Sequence, residues 1–218
     1  MSRRSITAHV LIASASFGVY ALAQAERKQD SRPGSVGERA QPSHPQGQPD
    51  MEEGMAAWQA AMAPGEPHQW LEQMAGEWEV TIKVFMDPAA EPMTSTGTSR
   101  SRMILGGRFL EEELRGTLMG MPFEGRGLFG YDNHRKQFTG SWADNMTTAI
   151  LTQKGSLSPD GKTLTMFGEM DEPMTGEIGK IVKYQTTIDS PDRHTFRIQE
   201  VQYGDPFTVV EITYERKK

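Results

Sequence analysis

Read two by two, residues 76–86 place Trp78, Val80, Ile82, Val84 and Met86 on one side and Glu77, Glu79, Thr81 and Lys83 on the other. Only Phe85 interrupts the polar side. Such alternation predicts a strand with one face buried and the other in water. Downstream, turn-forming residues recur at regular intervals. Asp87-Pro88, Leu105-Gly106-Gly107-Arg108, Gly120-Met121-Pro122 and Asp132-Asn133-His134-Arg135 are the first of them. Asp144-Asn145, Ser158-Pro159-Asp160-Gly161-Lys162, Asp189-Ser190-Pro191-Asp192 and Gly204-Asp205-Pro206 continue the series. Between them the chain predicts strands over 94–105, 109–118, 123–131, 136–142, 146–154, 163–170, 180–188, 194–202 and 207–216, about ten in all. No long helical repeat separates these strands, so sequence neighbours pair antiparallel. Closure into an up-and-down barrel then leaves no sheet edge exposed.

Ahead of the strands the period changes. Met51, Met55, Trp58 and Met62 share one face of a helix over 51–64, which packs on the barrel or lies beside it. Pro64-Gly65 ends this helix. A second short helix is expected over 67–75, with Pro67 in its first turn, Leu71 and Met74 facing inward, and Gly76 as its stop.

The first fifty residues change the picture of where the protein works. Arg3 and Arg4 precede an apolar run over 8–22, followed by small residues ending at Ala23 or Ala25. That is the order of a secretory signal peptide over 1–25, and Ser2-Arg3-Arg4-Ser5-Ile6 is also compatible with twin-arginine export. The expected location is therefore periplasmic or secreted, by the Sec or the twin-arginine route. The run is too short and too polar for a stable membrane span. Residues 26–50 hold Val36 as their one aliphatic side chain beyond alanine and predict a disordered linker. The net charge of −6 becomes more negative once the leader is removed, and no basic run exceeds Arg216-Lys217-Lys218. Nucleic acid is accordingly not an expected partner. With no cysteine in the chain, disulfides, thiolate nucleophiles and cysteine-bound metals are excluded.

His68-x-x-Leu71, Gly76-x-Trp78, Gly106-Gly107-Arg108-Phe109-Leu110, Gly130-Tyr131-Asp132, Trp142 and Tyr214-x-Arg216 occur in this order. Together they resemble the bacterial family called domain of unknown function 1579, over about residues 64–217. The resemblance implies a calycin-like, lipocalin-like β-barrel and no assigned activity. It also implies that Arg216 and Trp78 meet where the barrel closes. Strand parity agrees, since Val210, Ile212, Tyr214 and Arg216 share a face and the first strand opens with Trp78 inward.

Candidate chemistry comes from side chains that alternation turns inward. Glu112 shares a face with Leu110, Leu114 and Leu118, and Glu200 with Phe196 and Ile198. Two carboxylates in an apolar cup could serve as general acid and base, or be neutralised by an interior Arg such as Arg126. Phe123, Gly125, Gly127, Phe129 and Tyr131 line one strand face, and Phe138, Gly140 and Trp142 another. Aromatics separated by glycines leave room beside flat apolar walls, although the same pattern also lets a curved sheet pack without a ligand. The ligand-binding candidates are Glu112, Phe123, Phe129, Tyr131, Trp142 and Glu200, around a small apolar or aromatic molecule. No cofactor is assigned. The histidines His44, His68, His134 and His194 lack chelating spacing, and His194 alone stands where a haem ligand would be needed. Met166, Met170 and Met174 with Met119-x-Met121 could hold copper, but Met166 and Met170 alternate with Gly168 as ordinary strand core. No nucleophile elbow or phosphate loop is present. Three functions remain: a binding barrel, an enzyme using Glu112 and Glu200, and a filled barrel acting as an assembly module.

Overall fold

The computed structural model describes residues 50–173, 175–201, 204 and 206–218. The expected leader, nearly all of the linker, and Met174 lie outside the described residues. Two helices come first, α1 (Met51–Met62) and α2 (Glu66–Glu72). Ten strands follow: β1 (Gly76–Val84), β2 (Met93–Ile104), β3 (Phe109–Leu118), β4 (Met121–Asp132) and β5 (Gln137–Asp144), then β6 (Leu151–Leu157), β7 (Thr163–Glu172), β8 (Glu177–Ser190), β9 (Arg193–Glu200) and β10 (Phe207–Arg216). Each strand pairs antiparallel with its sequence neighbours, and β1 pairs with β10 to close the barrel. The fold is a closed ten-stranded antiparallel β-barrel. No helix among the described residues is long and apolar enough to cross a membrane.

Closure follows from the β1 pattern. Trp78, Val80 and Ile82 point inward and are almost fully buried. Their partners across the seam are Arg216, Tyr214 and Ile212, all of the same parity on β10. On the outer face Lys83 meets Glu211 at 3.8 Å and Lys217 meets Glu79 at 3.1 Å. Met86 departs from expectation: β1 ends at Val84, and Met86 lies beyond it, 59% exposed.

One end of the barrel is covered by α2. Trp70, Leu71 and Met74 pack onto Leu110, Phe138, Leu164 and Met166. The Trp70 indole N–H donates to the Gly161 carbonyl in the β6–β7 turn at 2.8 Å. Arg216 fastens the segment behind α2, donating to the carbonyls of Ala75 (2.9 Å), Gln73 (3.1 Å) and Pro191 (3.1 Å). Gly76 is required at this junction. Its φ of 144° disfavours any side chain, and a Cβ there would overlap the Arg216 guanidinium. The apolar stripe of α1 is not covered: Met51, Met55, Trp58 and Met62 are all exposed, and Asn133 Nδ2 donates to the carbonyls of Ala61 and Ala63 beside it.

The sixth strand begins later than its composition predicts, at Leu151 rather than at 146. Asp144 is the reason. Its carboxylate accepts from the Met146 backbone N–H at 3.0 Å and from the Trp142 indole N–H at 2.9 Å. This local capping turns the chain out of the sheet, and residues 145–150 run as a loop over the end opposite α2. Where β6 and β7 do pair, their backbones approach closely. A Cβ on Gly155 would strike the Thr165 carbonyl and the Met166 Cα, neither of which can rotate away. Gly155→Ala is expected to cost about 1–3 kcal/mol, read as a lower midpoint in thermal or urea unfolding.

Candidate functional site

Inside the barrel, between α2 and the loop over 145–150, is a cavity of about 390 Å³. Its floor is Leu71 of α2 and Met74 just behind it, and its far end is bounded by Met146, Thr147, Ala149, Asp171 and Pro173. The walls are largely apolar, with Leu110, Leu114, Leu164, Met166, Ile198 and Ile212 among them. Phe123 and Trp142 stack at 6.5 Å with 19° between their planes, and Tyr184 and Phe196 stack at 6.2 Å with 22°.

Glycine and aromatic positions turn out to serve packing and cavity together. A Cβ on Gly125 would overlap the Trp142 ring, and a Cβ on Gly127 or Gly140 would overlap Phe129. The rings therefore occupy the space that side chains at these glycines would need, on the same strand for Gly127 and on the neighbouring strand for Gly125 and Gly140, and they line the cavity beyond. Phe123, Phe129 and Trp142 line the cavity. Tyr131 does not. It packs beneath α2, edge-on to His68 at 6.1 Å and to Phe138 at 4.9 Å.

Glu112 points inward from β3 and lines the cavity, so what surface it exposes faces the cavity and not bulk water. Ser99 Oγ donates to its Oε1 at 2.9 Å, and the Tyr214 hydroxyl makes a second hydrogen bond to the carboxyl. Burial raises the Glu112 pKa above its ordinary 4.5, opposed by these two hydrogen bonds. Tyr214 is pushed well above its ordinary 10.0, first by burial and then by the Glu112 charge. Beyond Tyr214 the rings continue as a column. His194 stacks on Tyr214 at 4.1 Å, Trp78 meets His194 edge-on at 4.5 Å, and the Arg216 guanidinium lies 4.1 Å above the Trp78 ring. The Trp78 indole N–H donates to the Met74 carbonyl at 3.0 Å. Burial, and secondarily the Arg216 charge, lower the His194 pKa to about 3, so the ring is neutral at ordinary pH.

The acid/base pair expected from Glu112 and Glu200 is not assembled. Glu200 accepts from Lys180 Nζ at 2.9 Å, and Glu177 lies 3.3 Å from the same ammonium. This hydrogen bond raises the Lys180 pKa above its ordinary 10.5. Neither Lys180 nor Glu200 lines the cavity. Arg126, weighed as an interior partner, is on the outer face, 3.2 Å from Glu113 and 3.7 Å from Glu124.

Several cavity residues were not among the ligand-binding candidates. His194 shares parity with Phe196 and Tyr214 with Ile212, so alternation already carried both signals. Tyr184 and Gln153 share parity with Val182 and Leu151 in the same way. Ser101, which lines the cavity, and Ser99, which bonds Glu112 behind it, are small and polar on an unpromising strand and gave none. No cluster of His, Asp or Glu suited to a metal ion occurs among the described residues.

A closed barrel, plugged at one end by a short helix and hollow behind it, defines a calycin-like architecture. The family model described as "Protein of unknown function (DUF1579)" matches residues 63–216, and the chain belongs to that family. Among solved structures, Rv2717c from M. tuberculosis is similar in fold at 15% identity and a TM-score of 0.48, covering 71% of this chain and 100% of that one. The S-type phycobiliprotein lyase CPES from Guillardia theta is similar at 11% identity and a TM-score of 0.48, covering 71% of this chain and 94% of the lyase. No curated protein matches the chain.

Proposed function

We propose that this protein is an exported, lipocalin-like binding protein that holds a small, largely apolar molecule inside its barrel. One observation carries the reading: the cavity of about 390 Å³, walled mainly by apolar side chains and floored by α2. Its size falls in the range of roughly 300–1,000 Å³ typical of small-molecule sites. The binding reading is preferred to catalysis because Glu200, the carboxylate weighed as the partner of Glu112, is engaged by Lys180 and does not line the cavity. Native mass spectrometry of the protein purified from its own host is the direct test. Binding predicts an adduct, or else a thermal shift with one class among lipids, haem and aromatic metabolites. Bare protein with no shift across that set would return the barrel to an assembly role. Export, argued from the arginine-led apolar run over residues 1–25, predicts a mature chain beginning at Gln24 or Glu26. N-terminal sequencing that recovers Met1 or Ser2 would end that part of the reading.

A further inference from the structure

The cavity's polar groups are unevenly chosen. Among the described residues, no Lys or Arg lines it, whereas Glu112, Asp144 and Asp171 do. Asp144 is committed to Trp142 and Met146, and Asp171 accepts from the Gly179 N–H at 2.9 Å. Glu112 is different: it is desolvated and has no cationic partner among the described residues. A buried carboxylate in that position is costly unless a charge or further donors reach it.

Three more side chains are incomplete. Gln153 Oε1, the Tyr184 hydroxyl and His194 Nδ1 are buried without hydrogen-bond partners. Their residues are only 7%, 3% and 5% exposed, and all three line the cavity. Buried polar atoms in folded proteins are rarely left unpaired, so these mark where a bound molecule contributes. Gln153 Oε1 can only accept. The two stacked aromatic pairs, Phe123 with Trp142 and Tyr184 with Phe196, add electron-rich ring faces. What the lining lacks is a positive charge.

We infer that the ligand is an organic cation, a small amine whose apolar body fills the barrel and whose ammonium group sits against Glu112. The inference rests on the binding function proposed above and specifies its ligand. An ammonium brings three donors and one positive charge, which suits Glu112 and the unpaired acceptor Gln153 Oε1. A fatty acid or other organic anion would set its charge against Glu112 with no basic side chain to receive it. A neutral alcohol would fill the cavity but leave the carboxylate uncompensated.

The test uses the mature protein and three molecules of one chain length: octylamine, octanol and octanoate. Each displaces the neutral fluorophore N-phenyl-1-naphthylamine, at neutral pH and in salt high enough to screen the chain's net charge. Octylamine is expected to compete at least about tenfold better than octanol, with octanoate weakest. In Glu112→Gln the amine-over-alcohol ratio should collapse toward one. If octanol equals octylamine, or octanoate matches either, the cation inference is overturned while the binding cavity stands. If neither the fluorophore nor any of the three binds, the binding reading itself falls. Should Glu112→Gln fail to fold, the ratios measured on the unaltered protein still decide.

Discussion

Trp78→Ala should lower the unfolding midpoint of the barrel by roughly 6–20 °C, the largest effect expected of a single core substitution here. Trp78 is 1% exposed and stands at the join of three structures. It is paired across the seam with Arg216, it carries His194 on its edge, and its indole N–H holds the Met74 carbonyl behind α2. Removing a buried indole costs about 3–5 kcal/mol from lost transfer energy and the cavity left behind. The guanidinium above the ring adds about 1–2 kcal/mol where partly desolvated. Arg216→Ala should cost about 2–3 kcal/mol, because its carbonyl partners at Ala75, Gln73 and Pro191 lose a charged donor. The double variant should lose about 1–2 kcal/mol less than the two single costs combined, since each change removes part of the same contact. Urea unfolding of all four proteins measures the coupling. Strict additivity would mean that the stacked geometry contributes nothing.

The barrel was legible because its turns are spelled in Gly, Pro, Asp and Asn, and because β1 over 77–84 and β10 over 210–216 alternate without a break. Register at the seam followed from parity alone: Trp78 and Arg216 are the inward residues at the meeting ends of two antiparallel strands. The shifted start of β6 was not legible. Residues 146–154 have the composition of a strand, and what removes 146–150 from the sheet is the Asp144 side chain bonding to nearby N–H groups. Such local competition leaves no periodic trace.

The site shows the same divide. Glu112 could be placed inside from the leucines flanking it on β3, and Phe123, Phe129 and Trp142 from their glycine spacing. Which carboxylate is neutralised depends on pairing between distant strands. Glu200 and Lys180 meet because β8 and β9 are neighbours with Val182 opposite Glu200, a register set by the turn at 191–192 together with the one-residue bulge between Ile188 and Ser190. Arg126 shares no face with Glu112 at all. The ring column from Arg216 to Tyr214 is likewise a product of closure, as it draws on β1, β9 and β10 from opposite ends of the barrel-forming chain.

Acidification from pH 6.5 to pH 4.5 should destabilise the protein through His194, by about 2–3 kcal/mol before opposing contributions. His194 titrates near its ordinary 6.5 when unfolded but only at about 3 when folded, because burial and Arg216 disfavour its charge. Between those values the unfolded chain binds the extra proton, so stability rises with pH and is lost as pH falls. Glu112 acts in the other direction. Burial holds its folded pKa above 4.5, so the folded state retains a proton that the unfolded chain releases, and acidification relieves that cost. His68, also held below 6.5 by burial, adds to the His194 slope. Asp132 and Asp160, held below 3.8 first by hydrogen bonds from Arg135 and Ser158 respectively, lose their contributions only under pH 3.8, outside this window. His194→Phe keeps a ring against Tyr214 and Trp78 and removes the titrating group. Its stability relative to the unaltered protein should therefore improve progressively from pH 6.5 to 4.5, by about 2–3 kcal/mol. Glu112→Gln should do the reverse, gaining most at neutral pH and steepening the acid loss. Urea unfolding at several pH values separates the two. A His194→Phe difference that does not change with pH would show that the buried imidazole is not the group whose protonation opens the barrel.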